Sequence, residues 1–166
     1  REVSMLFKLS HPCIVSLYGT SMDESNNVAY MVLEFCGGGD LAGYYKAPAF
    51  TTKEFVRIVN ELLSAVAYLH ERDIAHRDLK PANVLLESVS LKTKVADFGL
   101  AKSNRNTVTR GIGTPCYMPP EMFDEDEEPE KTSMLAVDIY ALGVICAQLW
   151  LKAAPFENIG VHRIMS

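Results

Sequence analysis

The sequence lacks the cysteine and charge patterns of secreted, zinc-binding and nucleic-acid-binding proteins. Its four cysteines are widely separated and form no Cys-x-x-Cys pair, which predicts neither a zinc site nor a disulfide framework and fits a reducing, cytoplasmic setting. Its 16 lysine and arginine residues are outnumbered by 21 aspartate and glutamate residues and form no basic tract. A nucleic-acid partner is therefore not expected, because binding to phosphates needs clustered cations.

An uninterrupted apolar run and a signal peptide are also missing. The longest apolar stretch, residues 134–151, contains Asp138 and Gln148, and a carboxylate at mid-membrane depth is costly. We therefore predict a buried helix there and no membrane segment. The N-terminal residues show neither the charged start and apolar run of a signal peptide nor an initiator methionine, so we expect the chain to begin inside a larger domain.

Patterns in the first part of the chain predict a small sheet followed by a hinge. The chain has 166 residues, of which 48% are hydrophobic and 22% charged, so it can bury a core. Apolar spacing in residues 3–9 is typical of the end of a helix. β-Branched and aromatic residues predict strands at 14–18 and 28–35, with a polar turn at 23–27. Three glycines at 37–39 then break regular structure, as a hinge between two subdomains would.

Helical periodicity is clearest in residues 51–70. A Thr51-x-x-Glu54 capping box opens this segment, which predicts a helix start. One face of the predicted helix is apolar, with Phe55, Ile58, Val59, Leu62, Val66 and Leu69. Short strand-like runs follow at 84–86 and 94–96, and after them comes a long irregular stretch of the kind that is usually functional in compact domains.

Two motifs carry residues suited to phosphoryl transfer. This reaction needs divalent metal held against the phosphates and a carboxylate that accepts the proton of the acceptor hydroxyl. The run His76-Arg77-Asp78-Leu79-Lys80-Pro81-Ala82-Asn83 is followed, fourteen residues after Asn83, by Asp97-Phe98-Gly99. Together they resemble the catalytic loop and the metal-binding motif of eukaryotic-type protein kinases. A lone aspartate would be interpreted as a solvated surface acid, but the order and spacing of both motifs favour the functional interpretation.

The resemblance implies a role for each matching residue. Asp78 would be the catalytic base and Lys80 a partner of the transferring phosphate. Asn83 and Asp97 would be magnesium ligands, since both supply hard oxygen atoms, and Phe98 would be a packing switch. The cofactors implied are ATP and Mg²⁺.

The same resemblance places the nucleotide. Leu33 takes the gatekeeper position, and Glu34-Phe35-Cys36 is similar to the hinge whose backbone meets adenine. Asp40 matches the acid that bonds the ribose, although it is equally suited to cap the next helix. Leu85 joins the predicted nucleotide contacts, and Glu2 matches the glutamate of the family's helix C.

The region after the second motif resembles an activation segment that receives the peptide substrate. Residues 113–121 end in Pro-Pro-Glu where the family usually has Ala-Pro-Glu, and alone they would be interpreted as a proline-rich turn. By resemblance Arg77 and Lys102 face this segment, and we predict that a phosphate on Thr109, or less favourably on Thr107 or Ser103, bonds both cations. An acidic run at 124–130 is predicted to be a solvated face, with a docking strip for basic partners as the alternative.

The fold expected from the resemblance is α+β, a truncated bilobal protein-kinase-like domain. A partial β-rich N-lobe would occupy residues 1–34, with the end of helix C and the family's fourth and fifth strands. The hinge would occupy 35–40, and a mainly helical C-lobe 41–166, through helix F, with Asp138 near the start of that helix holding the catalytic loop. The family's Gly-rich strands and strand lysine would precede residue 1, so the isolated chain is expected to be marginally stable and nearly inactive.

The substrate class also follows from the resemblance. Lys80, two residues after the predicted base, and Gly113-Thr114 are the serine/threonine pattern. Residues 109–114, with Leu149-Trp150 and Pro155-Phe156, are similar to the tyrosine-kinase-like group. A protein substrate is therefore expected. The alternatives are a pseudokinase that serves as a binding scaffold, and a small-molecule phosphotransferase of the aminoglycoside or choline type, which lacks a segment like 113–121.

Overall fold

The computed structural model describes residues 6–48, 50–103, 113–123, 133–153 and 155–156, with the backbone alone at 102 and 103. Glu2, Thr107, Thr109 and the acidic run 124–130 lie outside the described residues. The regular elements, in chain order, are β1 (Leu17–Asp23), β2 (Val28–Leu33), α1 (Leu41–Tyr44), α2 (Thr52–His70), β3 (Ile74–Ala75), β4 (Val84–Leu86), β5 (Thr93–Val95), β6 (Lys102–Ser103) and α3 (Met134–Leu151), with short 3₁₀ turns at Pro81–Asn83, Pro115–Tyr117 and Pro120–Met122.

Strands β1 and β2 form an antiparallel hairpin, with Leu17 opposite Leu33 and Asp23 opposite Val28. The prediction of a strand at 14–18 was therefore wrong in its bounds. The Val15 backbone nitrogen instead donates to the Val95 carbonyl oxygen at 2.9 Å, so residues 14 and 15 attach the chain to β5. Asp23 closes the hairpin turn, and hydrogen bonds from Ser25 and Asn26 lower its pKa to about 2.

In the predicted hinge, two glycines form backbone hydrogen bonds with strand β4. The Gly38 nitrogen donates to the Leu86 oxygen and the Leu86 nitrogen to the Gly39 oxygen, both at 2.9 Å. A Cβ atom at Gly38 would lie 2.6 Å from the Glu87 carbonyl oxygen, closer than side-chain carbons approach backbone oxygen. Gly39 has φ +80°, a conformation that favours glycine. The glycines thus allow a close backbone approach here.

Helix α2 confirms the predicted helix. The Thr51 hydroxyl oxygen accepts from the Glu54 backbone nitrogen at 3.3 Å, as an N-cap does. The Glu54 carboxylate, however, accepts from Arg57 at 2.6 Å and from the Tyr44 hydroxyl at 3.1 Å. The apolar face of α2 is buried in the main core, at Ile58, Leu62, Ala65, Val66 and Leu69.

Helix α3 packs into the main core. By length and composition alone it is apolar enough to cross a membrane, with a mean hydropathy of 1.8, but half of its residues are buried inside the protein. It packs against α2. Asp138 and Gln148, the two polar residues that interrupt its apolar sequence, are buried, and both bond to side chains or backbone of other elements. The prediction of a buried helix is therefore confirmed.

Candidate active site

The loop after β3 is held by one buried carboxylate. Asp138 is fully buried, and its two oxygens accept from the backbone nitrogens of His76 at 2.9 Å and Arg77 at 2.8 Å. His70 Nε2 lies 2.9 Å from the same carboxylate. Arg77 has φ 73°, a left-handed conformation that is unfavourable for a long side chain. These bonds stabilise that conformation and so direct the following residue, Asp78.

Asp78, the predicted base, is held by three side chains. Its Oδ2 atom lies 2.7 Å from Lys80 Nζ and 3.0 Å from Asn83 Nδ2, and its Oδ1 atom accepts from the Thr114 hydroxyl at 2.9 Å. Burial alone would raise the pKa of Asp78, but the hydrogen bonds from Lys80, Thr114 and Asn83 outweigh it and hold this pKa below its usual value. The carboxylate is therefore ionised and fixed in direction.

Lys80 connects the loop with the segment that follows the second motif. Its Nζ atom donates to Thr114 Oγ1 at 2.8 Å as well as to Asp78. The approach requires Gly113, which has φ +125° and whose added Cβ would lie 2.9 Å from the Arg77 carbonyl oxygen. Lys80 and Asp78 precede Thr114 by 34 and 36 positions in the sequence. The structure brings these three side chains into one cluster.

Asn83 and Asp97, the predicted metal ligands, lie at adjoining ends of β4 and β5. The Ala96 nitrogen donates to the Asn83 carbonyl oxygen at 2.9 Å, so Asp97 directly follows this pairing. Asn83 Nδ2 donates to Asp78 O at 2.8 Å, which turns the Asn83 amide oxygen away from Asp78. Asp97 is exposed and has φ 61°. Asn83 and Asp97 each offer a hard oxygen donor of the kind that suits Mg²⁺.

Within the described part of the chain, no three His, Cys, Asp or Glu side chains converge as ligands for a metal ion. Asn83 and Asp97 would therefore form only part of a coordination shell. Mg²⁺ takes six oxygen ligands and commonly keeps waters and substrate phosphates among them. The pair fits a metal that binds together with a nucleotide.

His76 and Phe98 pack together beneath the cluster. Their ring centroids lie 4.9 Å apart with the planes at 63°, and both side chains are fully buried. His76 Nε2 donates to the Ala96 oxygen at 2.9 Å, because a carbonyl can only accept, and Nδ1 accepts from the Asp78 nitrogen at 3.3 Å. Leu6 lies in the same core cluster as Phe98, and Leu17 packs against that cluster.

The predicted nucleotide-contacting residues gather around the hinge. Asp40 pairs with Leu85 through an isolated β-bridge, and half-buried Cys36 lies nearby in sequence. Leu33 ends β2 and is 38% exposed. Asp40 Oδ1 accepts from the Gly43 nitrogen at 2.8 Å, which makes it the N-cap of α1. Of the two roles predicted for Asp40, capping is therefore present in the structure, and the ribose contact stays a prediction.

Lys94 is a polar residue of the hinge region that the sequence analysis missed. It is buried, and its Nζ atom lies 2.7 Å from Glu34 and 3.3 Å from Glu87. Burial would lower the pKa of Lys94, but the bonds with these two carboxylates outweigh it and raise that pKa. Glu34 also accepts from the Ser16 nitrogen at 3.1 Å. The sequence did offer a signal, because Lys94 stands in the predicted strand 94–96. A cation buried with such a strand needs a partner of opposite charge.

The chain is similar in sequence to known protein kinases. The sequence matches the family described as protein kinase domain over residues 1–166. It is 36% identical over 166 residues to an Aurora kinase of Schizosaccharomyces pombe, covering 98% of this chain and 44% of the relative. It is 38% identical over 168 residues to the human serine/threonine-protein kinase Nek2, covering 93% and 36%, and 35% identical over 169 residues to human serine/threonine-protein kinase ULK1, covering 95% and 15%. The chain therefore spans less than half the length of these relatives.

Proposed function

Because this chain belongs to the protein kinase domain family, we propose that the protein transfers the γ-phosphate of ATP to serine or threonine hydroxyls of a protein substrate. One observation carries the proposal: the Asp78 carboxylate is ionised and fixed by Lys80, Asn83 and Thr114. An oriented carboxylate with a cation beside it is the arrangement that this reaction needs. The names of the relatives, all serine/threonine kinases or an Aurora kinase, support the same substrate class.

Each side chain of the cluster has one task in this mechanism. Asp78 accepts the proton of the acceptor hydroxyl as that oxygen attacks the phosphorus atom. Lys80, already bound to Asp78 and Thr114, donates to the transferring phosphoryl group and offsets its charge. Asn83 and Asp97 would hold Mg²⁺, whose charge would offset that of the phosphates. Thr114 keeps the base directed toward the acceptor hydroxyl.

The hinge supplies the binding surface for the nucleotide. We propose that adenine lies against Leu33 and Leu85, that the backbone at Glu34 and Cys36 contacts its edge, and that Asp40 reaches the ribose. The Asp40–Leu85 bridge supports this placement, because it joins the end of the hinge to a residue two positions after Asn83. The Glu34 side chain has a separate task, since Lys94 and Ser16 bind it.

Two finer assignments belong to the same proposal. Membership of the tyrosine-kinase-like group rests on residues 109–114, Leu149-Trp150 and Pro155-Phe156. A cytoplasmic location rests on the four free cysteines in the described residues, which fit a reducing compartment. Both stay predictions.

The test is phosphate transfer by the full-length protein with Mg²⁺ and ATP to arrays of serine, threonine and tyrosine peptides. Asp97→Asn removes the charged metal ligand and should abolish phosphopeptide formation without unfolding the protein, because Asp97 is exposed. Asp23→Asn, the same change in the β1–β2 turn, is the matched control and should retain activity. Nucleotide binding without transfer would make the protein a pseudokinase. Transfer to an aminoglycoside or choline, and not to peptides, would make it a small-molecule phosphotransferase.

A further inference from the structure

The turn between β4 and β5 contacts the hinge through one side chain. The Gly37 backbone nitrogen donates to the Ser88 hydroxyl oxygen at 3.1 Å. A Cβ atom at Gly37 would lie 2.5 Å from this oxygen, so glycine leaves the room that the hydroxyl needs. Ser88 lies two residues beyond the end of β4, and both Ser88 and Gly37 are exposed. The bond thus joins the turn to the hinge at the protein surface.

The hinge is anchored on both sides of this bond. At its start, the Glu34 nitrogen donates to the Ser16 carbonyl oxygen at 2.8 Å, and at its end the Gly38 nitrogen donates to the Leu86 carbonyl oxygen at 2.9 Å. Both anchors join backbone groups, which any sequence supplies. Between them, in the described part of the chain, only the bond to Ser88 ties the hinge to another element. It depends on a side chain, so a single substitution removes it.

The same bond sets the direction of the neighbouring carbonyl group. The Gly37 N–H and the Cys36 carbonyl belong to one trans, planar peptide unit, in which the two groups point in opposite directions. Because the N–H points to the β4–β5 turn, the Cys36 carbonyl points away from that turn. Among the described residues no donor bonds this carbonyl oxygen, so it is available as an acceptor for a ligand at the hinge.

Without the Ser88 hydroxyl, this peptide unit would lose its fixed direction but not its hydrogen bonding. Gly37 is exposed, so water can accept from its N–H in place of the hydroxyl. Glycine has the widest choice of backbone dihedral angles, so the peptide unit is then free to rotate. A ligand that contacts the hinge would have to order it on binding, and that ordering reduces affinity.

We infer that Ser88 is a positioning residue for the nucleotide: through the Gly37 amide its hydroxyl holds the hinge backbone at Cys36 in the direction that the adenine base requires. This inference rests on the proposed function, which places the edge of adenine against the backbone at Glu34 and Cys36. It adds a residue outside the nucleotide site that controls affinity for the base. Ser88 itself touches neither the base nor the reacting atoms.

The experiment measures nucleotide binding and turnover in the full-length protein. Ser88→Ala should raise the Kd and the KM for ATP by about three- to tenfold, the effect of one hydrogen bond, with little change in kcat or in the KM for the peptide. Competition by adenosine, which has no phosphate groups, should weaken by the same factor, because the change acts on the base. Denaturant unfolding should show unaltered stability, since water replaces the hydroxyl.

Two further variants isolate the hydroxyl of Ser88 from other effects. Ser88→Thr keeps a hydroxyl at this position and should restore the affinity of the parent. Ser90→Ala removes the other hydroxyl of the turn and should bind ATP as the parent does. Among the described residues, the Ser90 hydroxyl bonds only within the turn, to the Glu87 carboxylate and the Lys92 nitrogen.

Four results would overturn the inference while the kinase function stands. They are parent-like ATP affinity in Ser88→Ala, an equal loss of affinity in Ser90→Ala, a loss that Ser88→Thr does not restore, and weaker binding of ATP with adenosine unaffected. If the parent binds ATP and shows the expected pattern but phosphorylates no peptide, the proposed function fails and the role of Ser88 stands. If the parent binds neither ATP nor adenosine, both fail.

Discussion

The carboxylate of Asp138 lies 2.8 Å from the backbone nitrogen of Arg77, a residue sixty-one positions earlier in the chain. This bond ties helix α3 to the loop that carries the predicted base. A buried carboxylate is costly unless it is hydrogen-bonded, and here the backbone of His76 and Arg77 provides the bonds. The position of Asp78 therefore depends on helix α3 and not on its own loop alone.

Asp138→Asn is expected to destabilise the protein and to slow catalysis. The amide keeps one acceptor but turns an NH₂ group toward a backbone donor or toward His70, so one buried hydrogen bond is lost at a cost of about 1–3 kcal/mol. Unfolding by denaturant measures the stability, and kcat measures the effect on Asp78. Glu24→Gln, at an exposed residue of the β1–β2 turn, is the control for the change in charge. Unaltered stability and kcat in Asp138→Asn would contradict the role given to this carboxylate.

Asp78→Asn is expected to lower kcat by about 10²–10⁴-fold, the usual contribution of a positioned general base. The amide oxygen can still accept from Lys80, and the amide nitrogen can donate to the Thr114 hydroxyl oxygen, so the loop should keep its arrangement and nucleotide affinity should change little. Single-turnover phosphate transfer and nucleotide titration separate these two quantities. An Asp78→Asn protein with near-normal turnover would show that another group accepts the proton.

The Glu34–Lys94 pair predicts a difference in acid stability. Burial would raise the pKa of Glu34, but bonds from Lys94 and Ser16 outweigh it and hold that pKa below its usual value. A lowered folded-state pKa gives stability that is present above the unfolded-state value and is lost as the pH falls through the folded-state value. The parent should therefore lose more unfolding free energy between about pH 6 and about pH 3 than Glu34→Gln does.

At neutral pH the same Glu34→Gln variant should be less stable than the parent by about 1–3 kcal/mol, since Lys94 loses a charged partner while buried. Denaturant unfolding across the pH range tests both statements. Glu71→Gln, at an exposed carboxylate, is the control and should follow the parent. Parallel curves for parent and Glu34→Gln would rule out a contribution from this pair.

Arg77 supports the prediction that Thr109 is phosphorylated. One guanidinium nitrogen, Nη2, is buried and has no hydrogen-bond partner among the described residues. Burial lowers the pKa of Arg77, although the negative charge of Asp138 acts to raise it. A phosphate carrying about −1.5 to −2 charges would satisfy this nitrogen and order the segment next to the base. Thr109 itself lies outside the described residues.

Thr109→Ala is therefore expected to lower kcat by at least about tenfold, and mass spectrometry of the active protein should find the phosphate. Thr20→Ala on the exposed face of β1 is the matched control. If Thr109→Ala turns over peptide as fast as the parent while Thr107 and Ser103 are also unmodified, the proposed switch does not exist.

The sequence determined the elements and motifs that depend on neighbouring residues. Helix α2 was predicted from its cap and apolar face, because both are properties of residues three or four positions apart. The catalytic motifs were recognised for a similar reason, since each role is tied to one residue within a short run. The helix at α3 was recognised as buried from the two polar residues that interrupt it.

Tertiary structure alone decided how these pieces meet. The first strand begins at Leu17 and not at residue 14, because the backbone nitrogen of Val15 donates to the carbonyl oxygen of Val95, eighty residues later. Lys94 is an ion-pair partner of Glu34, and the buried Gln148 bridges Tyr45 and Tyr117. Such pairings join residues far apart in the chain, and the sequence pattern records only that a polar group is buried, not which group satisfies it. Packing selects the partner, because only the folded chain brings the two groups within hydrogen-bonding distance.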